Sequence, residues 1–553
     1  MALDCNHSPS VFSKAIAYHA ECFAFASSPL SAPFLDATRY TFHPMPWEHR
    51  RRHERTRQLL AARLGTMYPT LPAELCLVVA AHLVPLCAVS ATEAVCLSPD
   101  RQAVDCRVST SEPVWASYVS LHGIRYVASL SNQPGPGSRK VFDVATMPRA
   151  AAVYLLEDHL GVRQVVFSAT GEPTNLPFFS HGKLGPWWRV LAPCPEQLEG
   201  KSDGVKLRTI ASPAAVSDPL SRTLWSLPFN PARFETLAFY NLGPPAWNPA
   251  PGSTTPMLHV DINEPGVTGY SVCYSRGLLY FHAHRPGDDL SFYRDYDGVY
   301  RQTLWVYMPV DPGELVTEIW RRDVRVADHL RPQMRTNRGR TIAAGPTVMP
   351  SFLKPTWHPV CGPLAGPTRV FFDHSLTALG MGRCAMWAPG EPSGQAPPLL
   401  YANGPSWFYS DASLKGVVEI TPCRWHEAGQ QSHSKIIGLL LRYSDGSRGC
   451  LGEFRLDCAS TPLRVGDTEK LRLGFNVTHP FQRPYLAEIR FSPPPASPDW
   501  ELDEQWLEIP WKGTLQWWFV RNHCCRVVYG DMASPRGVFF PLVMQCDMRS
   551  TIE

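Results

Sequence analysis

Two histidines and one aspartate have the residue types and spacing that come nearest to a chemical site. His282 and His284 are two residues apart in YFHAH, so on a strand both side chains lie on one face. Asp288 follows closely, and two imidazoles with a carboxylate form a ligand set for zinc. Because the spacing fixes no further ligand, hydrogen-bonded strand histidines remain the alternative. We therefore expect no cofactor, and keep these three residues as candidate ligands if a metal binds.

No other pattern in the sequence identifies a catalytic group. His159 follows two acidic residues in LEDHLG, in a turn where such side chains commonly bond the backbone. No GxSxG, HExxH, P-loop or GxGxxG motif occurs in a usable context. We therefore expect a protein that is not an enzyme, with a metal-dependent activity around His282 and His284 as the alternative.

Composition indicates a folded β-rich protein. The chain has 553 residues, of which 44% are hydrophobic and 18% charged, whereas disorder would need fewer apolar residues and a larger net charge. A formal charge of +3 does not require nucleic acid or an anionic membrane as partner. The 54 prolines and 38 glycines break long helices and favour strands joined by turns.

Cysteine usage and the first residues bear on location. The 16 cysteines show no repeated spacing and no CxxC pair, so we expect reduced thiols and not a disulfide framework. The start, MALDCNHSPSVFSKAIAYH, lacks the basic and apolar regions of a signal peptide. We expect an intracellular protein, cytoplasmic or nuclear.

Alternating apolar residues predict strands along most of the chain. VWASYVSLHGIRYVASLSN and KIIGLLLRYSDGSRGCLGEFRLD are typical hairpins, the second with Asp-Gly at its tip. We predict a mainly β fold of two β-sandwich-like lobes behind a helical N-terminal segment. The predicted parts are an irregular N-terminus (1–46), a helical segment (47–97), a first lobe (110–325), a Pro/Gly-rich connector (326–366) and a second lobe (367–553).

Two helices are expected in the N-terminal segment. The first, at 47–68, has a leucine stripe, and the arginines of HRRRHERTR are expected to form a solvated face. The second begins near Pro72, which suits the first helical position, and Leu75, Val79 and Leu83 recur at near-helical spacing. Pro85 should end or kink this helix near Val84. Since His82 and Pro85 interrupt its apolar run, we do not expect a membrane span.

The second helix carries a resemblance to a known module. LPAEL at 71–75, followed by an apolar helix reaching His82-Leu83, resembles the start of an F-box, a helical module that docks on the Skp adaptor of an SCF-type ubiquitin ligase. The residues after Leu83 lack the basic or Trp-containing end of a full F-box. The wider chain resembles a large fungal F-box-like family in VWASYVSLHGIRYVASLSN, YLLEDHLGVRQVVF, WVYMPVDPGELVTEIWRRD, TNRGR, GVVEITPCR and GLLLRYSDGSRGCLGEFRLD.

The resemblance implies a substrate receptor that does no chemistry itself. It would dock through adaptor-binding residues on the second helix, while the β lobes hold a target protein near the ligase. These residues are Leu71, Pro72, Leu75, Val79, Leu83 and Leu86. The alternative is a β-sandwich binding or scaffold protein, possibly for glycans, in which the helix is only structural. Pairs such as Trp187-Trp188 and Trp517-Trp518 would offer stacking surfaces if exposed, or would otherwise fill the core.

Overall fold

The computed structural model of the chain describes residues 40–96 and 105–172 apart from positions 43, 45 and 122, and then 186–213, 223–231, 237–241, 255–274, 278–297, 303–323, 332–343, 383–387, 408–426, 434–466, 470–478, 483–493, 505–520 and 524–530. Shorter described pieces are 2–4, 16–18, 345, 348–350, 356–361, 364, 366–373, 400–402 and 538–540.

The protein is mainly β, as predicted: among the residues that the structure describes, 52% lie in strands and 14% in helices. Its chain forms two compact units. The first unit contains residues 1–235 and 248–258, and the second contains residues 236–247 and 259–553. Three α-helices are described: α1 at Pro46–Met67, α2 at Ala73–Cys96 and the short α3 at Phe292–Asp297.

The first unit contains twelve described strands and the start of another. They are β1 Ala2–Asp4, β2 Ile16–Tyr18, β3 Cys106–Ser109, β4 Val114–Leu121, β5 Ile124–Ser131, β6 Arg139–Phe142, β7 Ala152–Asp158, β8 Gly161–Ser168, β9 Trp187–Leu191, β10 Gln197–Ser202, β11 Leu207–Ala211 and β12 Thr223–Trp225. Beyond the β1–β2 pair, they form the sheets β11-β10-β3, β5-β4-β6 and β12-β9-β7-β8, and β12 also pairs in parallel with the first residues of β14 (Thr255–Ile262).

Hairpins and a shared core hold this unit together. The predicted turn between β4 and β5 is present, and Gly123 there has a φ of 69°, which a glycine adopts without steric cost. β7 and β8 form a second predicted hairpin. The core between the sheets is aliphatic, with Val153, Leu155 and Val162 fully buried. Period-two patterning predicted β4 and β5, in which successive residues point to opposite sides of the sheet, whereas β7 is buried at every position.

Helix α1 lies against the β-sheets of this unit through its polar residues. Arg52 Nη1 donates to the Tyr126 hydroxyl at 3.4 Å, and that hydroxyl donates to Asp158 Oδ2 at 2.6 Å. Arg55 Nη2 donates to the Gly123 carbonyl at 2.7 Å. The prediction of a solvated arginine face is therefore wrong for Arg52, which is buried, because its guanidinium meets a buried tyrosine.

Helix α2 continues past Pro85, so it does not end near Val84 as one of the two predicted outcomes required, and a kink at that point stays a prediction. It begins at Ala73, directly after Pro72, and is helical through Cys96. Pro85 removes the single hydrogen bond that its N–H would donate to Ala81. The bonds on either side maintain the helix. Among the described residues, no helix has the length and apolar character needed to cross a membrane.

The second unit holds the remaining strands. They are β13 Leu237–Asn241, most of β14, β15 Gly269–Tyr274, β16 Leu278–His284, β17 Leu304–Pro309, β18 Val316–Asp323, β19 Pro332–Thr336, β20 Thr341–Ala343, β21 Val348–Pro350, β22 Thr356–Cys361, β23 Thr368–Asp373, β24 Arg383–Trp387, β25 Leu400–Ala402, β26 Phe408–Ser413, β27 Val417–His426, β28 Ser434–Tyr443, β29 Arg448–Gly452, β30 Leu463–Arg464, β31 Lys470–Thr478, β32 Arg483–Arg490, β33 Gln505–Pro510, β34 Thr514–Val520, β35 Cys524–Tyr529 and β36 Val538–Phe540.

These strands form several antiparallel sheets. Their orders include β16-β15-β17, β20-β19-β18-β22, β26-β34-β35-β36 and β30-β27-β28-β32-β31-β33, with β29 paired to β28. Residues 326–366, predicted as a connector, contribute β19, β20 and β22 to the second of these sheets. The hairpin predicted at residues 435–457 is β28–β29, and Gly446 at its tip has a φ of 83°.

The core of the second unit contains residues from the sheet β26-β34-β35-β36 and from the sheet β30-β27-β28-β32-β31-β33. Leu439, Leu441, Leu473 and Trp517 are fully buried in it. The eight cysteines whose state the structure describes are all free thiols, in agreement with the predicted lack of a disulfide framework over that part of the chain.

Candidate functional site

The first candidate is the outer face of α2, which exposes apolar side chains. Leu75, Val78 and Val79 keep 50%, 52% and 40% of their surface accessible. Their spacing of three and four residues places them side by side on one helix face. Leu83, one turn farther along, is half-buried, and His82 is exposed. Val78 was not predicted, although it lies between two predicted positions on this face.

The opposite face of α2 packs on α1 through small side chains. Cys76 and Ala80 are buried against Ala61, with Leu60, Leu64, Leu71 and Leu77 packed around them. Arg57 Nε also donates to the Leu77 carbonyl at 3.1 Å, which joins the two helices. Leu75, Val78 and Val79 are thus on the other side of α2 from Cys76 and Ala80, which hold the helix in place.

The remaining predicted docking residues have different environments. Leu71 is half-buried beside the α1–α2 seam, and Pro72 is exposed in the turn before α2. The side chain of Leu86 lies outside the described residues. The chain also has one continuous helix to Cys96 where a full F-box would have a break and a second helix. The structure therefore presents a face of one helix.

Exposed large apolar side chains are concentrated in this helical hairpin. Within the described part of the chain, those that are exposed are Leu59, Met67, Tyr68, Leu75, Val78 and Val79, all between positions 59 and 79. Contiguous exposed apolar surface is characteristic of interaction sites. Among the described side chains, in contrast, the strands contribute none of these exposed residues.

The second candidate is the group His282, His284 and Asp288, which the structure brings together. A ring nitrogen of each histidine and a carboxylate oxygen of Asp288 lie within 4.8 Å of one another. β16 places both histidines on one face, and the turn after it returns Asp288 to them. His282 Nε2 is 3.2 Å from Asp288 Oδ2, which also accepts the Arg285 N–H at 2.7 Å.

His284 is held by a chain of hydroxyl groups. Its Nε2 is 2.7 Å from Ser271 Oγ, which is 2.8 Å from the Tyr293 hydroxyl. Its Nδ1 is buried and has no hydrogen-bond partner. Burial, together with the nearby His282, lowers the pKa of His284 to about 3, so its ring is neutral at pH 7. The spacing of the sequence could not indicate Ser271 or Tyr293 as partners.

Aromatic rings enclose this histidine pair. The ring centroid of Phe292 lies 4.4 Å from that of His282 and 5.8 Å from that of His284. Both histidines are buried, whereas the Asp288 side chain keeps 22% of its surface accessible. Partial burial works to raise the pKa of Asp288, but its bonds to His282 and the Arg285 N–H outweigh this and hold the pKa below its ordinary value.

A third cluster joins three sequence segments through charged groups. Glu314, from DPGEL, accepts from Arg340 Nε at 2.7 Å and from the Thr336 hydroxyl at 2.7 Å, both from TNRGR. Arg340 also donates to the Pro309 carbonyl at 2.8 Å and to the Arg448 carbonyl, from SRG.

Asp311 lies at the centre of this cluster. Its carboxylate is 3.2 Å from Arg340 Nη2, 3.4 Å from Arg338 Nη1 and 3.3 Å from Arg448 Nε. The arginines therefore meet carboxylates and carbonyls of their own chain. We interpret this cluster as structural.

The other sequence candidates are core residues. His159 is buried, with Tyr40 packed edge-on at 4.7 Å, and burial lowers its pKa to about 3. Both of its ring nitrogens lack a hydrogen-bond partner, so it has no geometry for proton transfer. Trp187, Trp188 and Trp517 are almost completely buried, which confirms the core interpretation for these three tryptophans. Trp518 is half-buried and packs edge-on against Tyr409 at 5.2 Å.

Comparison with known proteins adds no relative: no protein-family model matches the chain, and no curated protein matches it.

Proposed function

We propose that this protein is a non-enzymatic interaction protein that docks a Skp-type adaptor of an SCF ubiquitin ligase through the outer face of α2. The observation that carries the proposal is the exposure of Leu75, Val78 and Val79 on a helix whose other face is already packed. An apolar helix face laid into a partner's groove is a common mode of recognition.

The packing of the helices supports a rigid presentation of this face. Arg52 and Arg55 of α1 bond the first β unit, and Trp187 Nε1 donates to Glu48 Oε1 at 3.0 Å. Since α2 is joined to α1, its outer face is fixed relative to the strands of that unit. A receptor of this type works by raising the effective concentration of a bound target, which requires such a fixed connection and no catalytic residues.

The three buried members of the two tryptophan pairs fit this proposal better than they fit glycan binding. Sugar-binding surfaces need exposed aromatic rings, whereas Trp187, Trp188 and Trp517 are buried. SCF ligases operate inside the cell, so the proposal also implies a cytoplasmic or nuclear protein. The target held by the β units remains to be identified.

The test is binding of the full chain to a purified Skp-type adaptor, measured by biolayer interferometry. A Leu75→Asp/Val79→Asp variant should bind more than about 100-fold more weakly, as loss of two contact positions of about 2 kcal/mol each predicts. Both side chains are at least 40% exposed, so the variant should keep the Tm of the wild type.

Leu59→Asp is the matched control, because it adds a charge at a similarly exposed leucine of α1. It should bind the adaptor like the wild type. Failure of the wild-type protein to bind any Skp-type adaptor would reject the proposal. Equal binding by the double variant would reject the outer face of α2 as the docking surface.

A further inference from the structure

The histidine pair on β16 has one feature that its hydrogen bonds leave unexplained. His284 is 1% exposed, and its Nδ1 has no hydrogen-bond partner. A buried polar atom without a partner costs about 1–3 kcal/mol. The other ring nitrogen, Nε2, is engaged by Ser271 Oγ, so Nδ1 is the nitrogen of His284 that is available to a ligand.

The spacing of the neighbouring groups matches a metal site. In a tetrahedral zinc site with bonds of about 2.0 Å, neighbouring ligand atoms are about 3.3 Å apart. His282 Nε2 and Asp288 Oδ2 are 3.2 Å apart. One ring nitrogen of each histidine and a carboxylate oxygen of Asp288 lie within 4.8 Å of one another, so shifts of up to roughly 1.5 Å would bring three ligand atoms to this spacing.

We propose that His282, His284 and Asp288 bind one divalent transition-metal ion, for which Zn²⁺ is the best match. Two imidazoles and one carboxylate are ligands that zinc prefers, whereas Ca²⁺ and Mg²⁺ favour sites made of oxygen atoms. The partly exposed Asp288 gives the ion a route from solvent and leaves room for water at the fourth position.

The surroundings of His284 fit a metal ligand. Metal-binding histidines usually donate their second ring N–H to a fixed acceptor, which orients the ring. In the tautomer that carries its proton on Nε2, His284 donates this bond to Ser271 Oγ, which is itself hydrogen-bonded to Tyr293, and Nδ1 has its lone pair free for a metal. The register of β15 and β16, with Ser271 opposite His282, fixes this support in the sheet.

The ion would tie β16 to the turn at Asp288, which precedes α3. This inference does not depend on adaptor docking, because the metal ligands and the outer face of α2 share no residue. The first measurement is Zn²⁺ titration of chelator-treated full-length protein by isothermal titration calorimetry, with Co²⁺ absorption as a second readout. Tetrahedral nitrogen and oxygen ligands give Co²⁺ visible bands without the strong thiolate charge-transfer band that a cysteine site would add.

We expect one tight equivalent of metal in the wild type. Asp288→Asn should weaken its affinity at least tenfold, because loss of a direct ligand costs no less than the 10–100-fold typical of a supporting residue. His282→Gln should do the same and tests the site with a second, independent side chain. Circular dichroism establishes that each variant is folded.

Two matched controls identify adventitious binding. Asp289→Asn removes the neighbouring, exposed carboxylate, and His426→Gln removes an exposed histidine elsewhere in the second unit. Both should keep the wild-type affinity. The proposal is overturned if the wild type binds no tight equivalent, if Asp288→Asn and His282→Gln bind as tightly as wild type, or if Co²⁺ shows thiolate bands.

Discussion

The ion pair between Glu314 and Arg340 is predicted to be a major contributor to the stability of the second unit. Glu314 is only 3% exposed and accepts bonds from Arg340 and Thr336. Burial by itself would raise the pKa of Glu314, but these bonds outweigh it and hold the pKa below its ordinary value. Removal of Arg340 would leave that charge buried without its principal partner.

The magnitude follows from this geometry. Breaking a buried pair by removing one member costs about 3–5 kcal/mol, because the remaining charge is uncompensated. Arg340→Met keeps the length of the side chain and removes its charge, so we expect a loss of that size. Glu314→Gln should cost less, because Arg340 retains Asp311. In the double variant the losses should fall short of additivity by more than about 1 kcal/mol.

Urea unfolding of the four proteins, followed by tryptophan fluorescence, measures this coupling. Arg442 and Glu419 provide a matched control on β28 and β27, because they form the same two-point pair at 3.0 and 2.7 Å. Arg442 is exposed, and water screens exposed pairs, so Arg442→Met should leave the midpoint of unfolding nearly unchanged. Two results would refute the reasoning. The first is that the losses of unfolding free energy in the Glu314 and Arg340 single variants add exactly in the double variant. The second is that Arg340→Met and Arg442→Met lose equal free energies of unfolding.

Two further predictions concern the cores of the two units. The pKa of His159 is about 3 in the folded protein, below its value of about 6.5 in the unfolded chain. Between these pH values the unfolded chain binds more protons than the folded one, so the free energy of unfolding decreases as the pH falls. His159→Phe keeps the contact with Tyr40 and should remove about 1.4 kcal/mol of destabilisation per pH unit below pH 6. Its Tm should therefore drop less between pH 6.5 and 5 than the Tm of the wild type. Parallel curves of Tm against pH for the two proteins would contradict this prediction. In the second unit, Gly438→Ala should lower the free energy of unfolding by about 3 kcal/mol, since a Cβ would lie 2.1 Å from the Glu453 carbonyl oxygen. Gly446→Ala is the control, because its Cβ would meet open space at a positive φ, and it should lower the free energy of unfolding by about 1 kcal/mol in a urea titration. If Gly438→Ala is no less stable than Gly446→Ala, the strands around Gly438 move apart easily and the prediction is wrong.

The sequence was informative wherever local chemistry decides the structure. Asp445-Gly446 predicted the β28–β29 hairpin, because a tight turn requires positive φ at its tip. Alternating residues predicted β4 and β5 for the same local reason. Pro85 does not end α2, since tertiary packing and the bonds around it decide whether a helix ends there.

Contacts between distant residues could not be predicted in this way. Arg340 bonds the carbonyl of Arg448, 108 positions away, and Arg52 meets Tyr126 across 74 positions. Both arginines lie in strongly polar sequence, which is typical of solvent-exposed segments. Only the folded arrangement of strands determines whether a guanidinium meets water or a buried acceptor.

The composition of α2 provides an independent argument for a partner. A helix that is apolar on all sides is normally buried on all sides. Here the inner face uses the small residues Cys76 and Ala80, which let α1 approach closely, and the larger Leu75, Val78 and Val79 face outward. Packing for stability alone would favour the reverse order, because burial of a leucine contributes about 1.5–3 kcal/mol. We therefore expect the outward residues to be covered by another protein, and variants there should change binding more than folding.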